Sequence, residues 1–184
     1  MSEEEIVFTG KTEAIYKIIV IGDPAVGKTS LLDNFSSKKF KTQYIPTVGV
    51  NIVKEQVELD EGIVNLMIWD IAGQPQFYML HRPYFNGADG MILTFDITRS
   101  STFSNVQNWF NTAQKFGLSS IPRLLIGNKI DLQDERKIIK PMADHLAEKL
   151  NCTYYETSAK TGDNVKLIFR KTAEIVKDSK IKKH

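Results

Sequence analysis

Cysteine is almost missing: Cys152 is the only one in 184 residues. That excludes a disulfide framework within the chain and suits a reducing compartment. A lone thiol beside an apolar strand reads as filler, since nothing nearby in sequence would lower its pKa. An excess of one charge is missing too. Lysine and arginine number 24 against 22 acids, a net charge of +2, which makes no electrostatic case for nucleic acid. No apolar run approaches the ~20 residues of a membrane helix. The N-terminus MSEEEIVFTGK is acidic where a secretory signal would be basic, so a cytoplasmic protein is expected. The C-terminal KDSKIKKH carries no cysteine for prenylation, so membrane contact is expected to be peripheral at most. Its lysines offer about 1 kcal/mol each to an anionic surface, or simply a solvated helix end. There is no internal repeat and no low-complexity segment.

What is present is the composition of one globular domain, 42% hydrophobic and 25% charged. The expected layout is a loose tail over 1–13, a folded unit over 14–178 and a lysine-rich tail over 179–184, with a monomer as the expected state. Apolar runs at Tyr16–Ile21, Val64–Trp69, Met91–Phe95, Arg123–Ile126 and Thr153–Glu156 read as strands. Asn51–Leu59 alternates as a strand and meets Ile63 across an Asp60-Glu61-Gly62 turn. Helical spacing covers Lys28–Phe35, Thr102–Phe116, Lys140–Leu150 and Asn164–Lys177, the last with Asp163 as a plausible N-cap. Interleaved strands and helices predict an α/β fold: a mostly parallel sheet, helices on both faces, and one antiparallel edge strand. Ligands of such sheets sit at the carboxyl ends of the strands.

Ile18 to Leu32 reads IIVIGDPAVGKTSLL, a buried strand, a Gly-rich loop and a helix. Gly22, Gly27, Lys28 and Thr29 fit G-x-x-x-x-G-K-[ST], the phosphate-cradling pattern of P-loop NTPases. Loop N–H groups form an anion nest, and the helix beginning near Lys28 adds the positive end of its dipole. Lys28 is expected to reach the terminal phosphates and the Thr29 hydroxyl to ligate magnesium. Pro24 has no N–H, so the donors are expected from later residues: Ala25, Val26, Gly27, Lys28, Thr29 and Ser30. Gly27 is expected where backbone approaches phosphate closely.

An acid closing an apolar strand, Asp70, suits a magnesium ligand acting through water. Gly73 lets its N–H approach a γ-phosphate, and Gln74 is placed to orient an attacking water. Between loop and acid, FKTQYIPTVGV (Phe40 to Val50) is polar and poorly periodic. Its Thr47 hydroxyl would complete a metal shell only with a γ-phosphate present, which would make an order–disorder switch; an ordinary approach to a strand is the alternative.

The run LLIGNKID puts Asn128, Lys129 and Asp131 at a strand end. A carboxylate at Asp131 matches the paired N1–H and N2–H donors of guanine and leaves adenine unpaired. The Lys129 stem can lie along the base. In TSAK, Ser158, Ala159 and Lys160 follow the next strand, and the Ala159 N–H is a donor for guanine O6. Trp109, Phe103 and Phe110 fit helix packing, not stacking on nucleic acid. Trp69, Phe77 and Tyr84 read as an apolar partner patch or as core, and His81 and Arg82 as effector contacts or exposed residues.

The ordered set GDPAVGKT, a switch threonine, DIAGQ, NKID and SAK resembles the Ras superfamily of small GTPases over about Tyr16 to Lys177. WDIAGQ, YFNGADGMILTFDIT, TFSNVQNWF and VGVN resemble the Rab branch most closely. The resemblance implies a six-stranded G domain and magnesium-dependent hydrolysis of GTP to GDP. It also implies two nucleotide-dependent conformations, with switch regions of about 38–50 and 71–85 presented to effectors, exchange factors and activators. It makes Thr47 the γ-phosphate sensor and second metal ligand and Gln74 the water-positioning residue. Phe40 would pack near base and ribose, and Tyr44 would cover the phosphates. Two prolines depart from the Rab pattern. Pro24 would lie near the γ-phosphate and the path of an arginine finger, so weak stimulation by such an activator is expected. Pro75 follows Gln74 where Rab proteins usually carry Glu, and a changed intrinsic rate is expected. A GTP-locked scaffold with negligible turnover is the runner-up reading. A kinase using the same loop is a third, opposed by the guanine-reading motif and Gln74.

Overall fold

The computed structural model describes residues 14–37, 47–74 and 81–183. The expectations for the tail 1–13, for Phe40, Tyr44, Pro75 and Phe77, and for the side chain of His81 lie outside them.

Six strands form one sheet: β1 (Ile15–Ile21), β2 (Val50–Leu59), β3 (Gly62–Ile71), β4 (Gly90–Asp96), β5 (Arg123–Asn128) and β6 (Thr153–Thr157). Their order is β2-β3-β1-β4-β5-β6. All neighbours are parallel except β2 and β3, which pair antiparallel from Val50↔Ile71 to Leu59↔Gly62. The hairpin turn is thus tighter than its sequence suggests. Gly62, at φ 127, already opens β3 opposite Leu59.

The helices are α1 (Lys28–Phe35), α2 (His81–Phe85), α3 (Ser100–Ser104), α4 (Val106–Lys115), α5 (Lys140–Lys149) and α6 (Val165–Ile181). Period-two alternation divides the strand side chains between two cores. Ile19, Ile21, Met91, Leu93, Phe95 and Leu125 face Trp109, Val106 and Ala143 on one side. Ile18, Val20, Leu66, Ile68, Ile92 and Ile126 face Leu31, Leu32, Ile168 and Phe169 on the other. Four consecutive residues, Ile18 to Ile21, are therefore fully buried, as a central parallel strand requires. Phe35 stacks on Phe169 at 4.2 Å and joins α1 to α6.

Three expectations need correction. The helix read over Thr102–Phe116 is two helices, starting at Ser100 and interrupted at Asn105, whose ψ of −8° opens the turn. Asn105 sends its side chain to Asp23 instead. Asp163 is not the N-cap of α6. Asn164 occupies that position at φ 58 and donates its side-chain amide to the Glu156 carbonyl, while Asp163 accepts from the Thr161 hydroxyl. Finally, α6 runs on to Ile181, past the expected end of the domain. Lys177 and Lys180 fasten it to Glu61 and Asp89.

Cys152 is half-buried at the start of β6, and burial pushes its thiol up to about 11 despite the nearby Arg123. That fits filler and not a reactive group. Trp69 and Tyr84 are half-buried at the margin of the first core, their rings 6.3 Å apart, and the Lys17 ammonium covers the Trp69 ring at 3.8 Å. Arg82 is exposed.

Candidate functional site

The carboxyl ends of β1, β3, β4, β5 and β6 converge on the loop from Gly22 to Gly27. Each carbonyl of that loop from Gly22 to Val26 accepts a side-chain donor. Lys28 Nζ reaches Gly22 O at 2.7 Å and Asp23 O at 2.8 Å. From beyond the loop, Arg99 Nη1 meets Pro24 O at 3.2 Å, Lys129 Nζ meets Ala25 O at 2.8 Å, and Asn128 Nδ2 meets Val26 O at 2.9 Å. In a trans peptide the C=O and the following N–H point opposite ways. Holding the carbonyls of Pro24, Ala25 and Val26 therefore turns the N–H groups of Ala25, Val26 and Gly27 toward the other side. These are the donors expected of a phosphate cradle.

Holding that shape requires unusual backbone. Ala25 sits at φ 61, a left-handed conformation that costs an alanine about 1 kcal/mol. Gly27 sits at φ 102, and a Cβ there would lie 2.2 Å from Asn128 Nδ2. Glycine is thus demanded by the Asn128 contact itself. A Cβ on Gly73 would lie 2.5 Å from Gly22 O and 2.6 Å from Pro24 N. The Gly73 backbone presses on the loop itself, at the end that carries Pro24.

Below the loop, three oxygens gather. Thr29 Oγ1 donates to Asp70 Oδ2 at 2.5 Å and lies 2.7 Å from Thr47 Oγ1. Asp70 is fully buried, and its Oδ1 has no hydrogen-bond partner among the described residues. A buried carboxylate oxygen without a partner is costly, and a bound cation would satisfy it. Burial pushes the Asp70 carboxyl above its ordinary value, against the Thr29 hydroxyl and the Lys28 charge. Burial likewise lowers Lys28 to about 8, opposed by Asp70 and Asp23. Among the described residues there is no cluster of three or more His, Cys, Asp or Glu. The donor set here is two hydroxyls and one carboxylate, the hard oxygen ligands that magnesium takes. Residues 47, 29 and 70 fit the ion.

At the far end, Asn128 clamps three elements. Its Nδ2 holds the phosphate loop, and its Oδ1 accepts from Thr157 Oγ1 at 3.0 Å and Ala159 N at 3.1 Å. The Ala159 N–H thus points at Asn128 here. Ser158 Oγ donates to Asp131 Oδ1 at 2.6 Å, which fixes the carboxylate at the rim. Lys129, at φ 74, pairs with Asp96 at 2.8 Å as well as with Ala25 O. Arg136 joins the segment after β5 to β6 through Glu156, at 2.7 and 3.0 Å.

The residues chosen from sequence are therefore brought together: Lys28, Thr29, Thr47, Asp70 and Gly73 at the phosphate end, Asn128, Lys129, Asp131, Ser158 and Ala159 at the other. Ser30 is half-buried in the first turn of α1, Lys160 is exposed beside Ala159, and Gln74 is half-buried beside Gly73. Sequence reasoning missed Asp96, although an acid closing an apolar strand is the same signal that marks Asp70. It also missed Asp23, which hides in a variable position of the motif and accepts from Asn105 Nδ2 at 2.5 Å and Trp109 Nε1 at 2.8 Å. Trp109 is core, as expected, and a loop anchor besides. Arg99 carries no signal in the sequence alone, and Thr157 opens the TSAK motif without a role of its own being legible there.

Comparison with known proteins agrees with this geometry. Residues 17–178 match the Ras family. The Ras-related protein Rab-1 of Theileria annulata is 40% identical over 165 residues, covering 89% of this chain and 75% of that protein. Rab-13 of Mesocricetus auratus is 38% identical over 159 residues, 86% of this chain and 78% of that protein. Rab-8B of Pongo abelii is 38% identical over 155 residues, 84% and 75% respectively.

Proposed function

Given that the chain belongs to the Ras family, as a Rab-like small GTPase that hydrolyses GTP to GDP, we propose how its own residues divide the work. Ala25, Val26 and Gly27 offer backbone N–H groups to the phosphates, with Lys28 supplying charge and Ser30 lying in the adjoining turn. Thr29 and Thr47 hold magnesium directly, and Asp70 holds it through water. Because the Thr29 hydrogen is given to Asp70, Thr47 is the donor across the 2.7 Å hydroxyl contact, and one lone pair of the Thr29 oxygen is left for a metal. Magnesium, when bound, neutralises charge on the phosphate oxygens.

At the reacting end, Gly73 brings its N–H to the γ-phosphate and Gln74 orients the attacking water. Asp131 reads guanine, held in place by Ser158. Lys129 lines the base and Lys160 closes the rim. Phe40 and Tyr44 belong to the same proposal by resemblance. The segments 38–50 and 71–85 present the GTP state to effectors, exchange factors and activators. Residues 14–178, with α6 continuing to Ile181, form the functional unit, which we take to act as a cytoplasmic monomer. No described helix is long and apolar enough to cross a membrane.

The observation that carries this reading is the cluster of Thr29, Thr47 and the buried Asp70 beneath the loop. Single-turnover phosphate release from preloaded GTP tests it. Hydrolysis is expected to stop on chelation of magnesium and to be crippled in Thr29→Ala. Turnover indifferent to both would overturn the assignment.

A further inference from the structure

Arg99 stands outside every motif, in the turn between β4 and α3, yet among the described residues its side chain hydrogen-bonds to the phosphate loop alone. The partner is the carbonyl of Pro24, the loop residue that has no N–H of its own. The next residue, Ala25, is held at φ 61. These three facts belong together. A 180° rotation of the Pro24–Ala25 peptide would move Ala25 to negative φ and relieve its left-handed strain. The same rotation would swing the Pro24 carbonyl into the cradle and the Ala25 N–H out of it. An inward carbonyl repels phosphate where an inward N–H binds it. The charge-assisted bond from Arg99 opposes that rotation.

The location gives the effect a direction. Gly73, the residue assigned to the γ-phosphate, packs against Gly22, Asp23 and Pro24. The Pro24–Ala25 peptide therefore lies at the third-phosphate end of the cradle, away from the residues that read the base. We propose that Arg99 is a positioning residue for the γ-phosphate: by holding the Pro24 carbonyl outward it keeps the Ala25 N–H aimed at the terminal phosphate, so that it favours GTP over GDP and supports hydrolysis. This rests on the nucleotide site proposed above.

The test compares the unaltered protein with Arg99→Ala and Arg99→Lys, reading dissociation of GTP and of GDP together with single-turnover hydrolysis. Arg99→Ala is expected to speed GTP release about tenfold, to leave GDP release within about twofold, and to slow hydrolysis about tenfold. Arg99→Lys, which keeps a charged donor, is expected to restore much of both. In an Ala25→Gly background positive φ carries no strain, so the Arg99→Ala effect is expected to shrink. Equal weakening of GTP and GDP, with a lowered melting temperature, would reduce Arg99 to a structural role and overturn the inference. So would an Arg99→Ala protein matching the parent in all three measurements, or an undiminished effect in the glycine background. A parent protein that binds no guanine nucleotide would instead overturn the site assignment itself, before any variant is compared.

Discussion

The Trp109 indole donates to the Asp23 carboxylate across 2.8 Å, so a core tryptophan holds the phosphate loop directly. Asn105 donates to the same carboxylate oxygen. Asp23→Ala is expected to release nucleotide roughly tenfold faster, with a stability loss of about 1–2 kcal/mol, because two donors lose their acceptor. Trp109→Phe should cost a similar amount, partly through lost volume. The double variant should fall short of the sum by about 1 kcal/mol, since both remove one bond. Strict additivity in thermal melts and release rates would show the contact to be incidental.

Asp131→Ala is expected to weaken GTP binding by about a hundredfold or more while leaving ATP binding, already poor, unchanged. Ser158→Ala should lose less, since it removes only the hydroxyl that fixes the carboxylate. Competition binding with GTP, GDP and ATP reads both. Retained guanine preference in Asp131→Ala would move base recognition elsewhere in the site.

Gln74→Ala is expected to slow hydrolysis by at least about a hundredfold with GTP and GDP affinity nearly unchanged, the pattern of a group used only in the chemical step. Release of phosphate from preloaded protein measures it. A parallel fall in affinity would make Gln74 a binding residue.

Glu156 carries an acid dependence. Burial pushes its carboxyl up, but the Arg136 guanidinium and the Tyr154 hydroxyl more than offset this and hold it below its ordinary 4.5. A carboxyl depressed in the folded state contributes stability that is full above its unfolded pKa and is lost as pH falls through its folded pKa. Glu156→Gln should therefore melt lower than the parent at pH 7, and the gap should close below pH ~4. Arg136→Ala is expected to lose about 1–2 kcal/mol at neutral pH. A gap that persists in acid would assign the effect to packing.

Much of the fold was legible because strands and helices announce themselves locally. Ile18 to Ile21 form an apolar run that only a doubly covered strand can bury, and the residues at the ends of such runs became the site. What was illegible depends on partners far away in the chain. Asn105 breaks a helix that its neighbours favour, because Asp23 lies within reach. Asn164 displaces Asp163 as the cap because the Glu156 carbonyl takes its side chain. Lys177 and Lys180 read as a solvated helix end running into a lysine-rich tail until Glu61 and Asp89 are seen beside them. Arg99 has no local pattern, and only the packed fold brings it to Pro24.

The donors that fix Pro24, Ala25 and Val26 lie 75, 104 and 102 positions further along the chain. A growing chain that has completed the phosphate motif therefore has no cradle yet. The loop acquires its shape only after β4 and β5 have joined the sheet, among the most non-local steps in the topology and among the slowest to close. Nucleotide capture thus reports that β4 and β5 have taken their places in the sheet, and a chain stalled before residue 129 would carry the motif without the loop's shape.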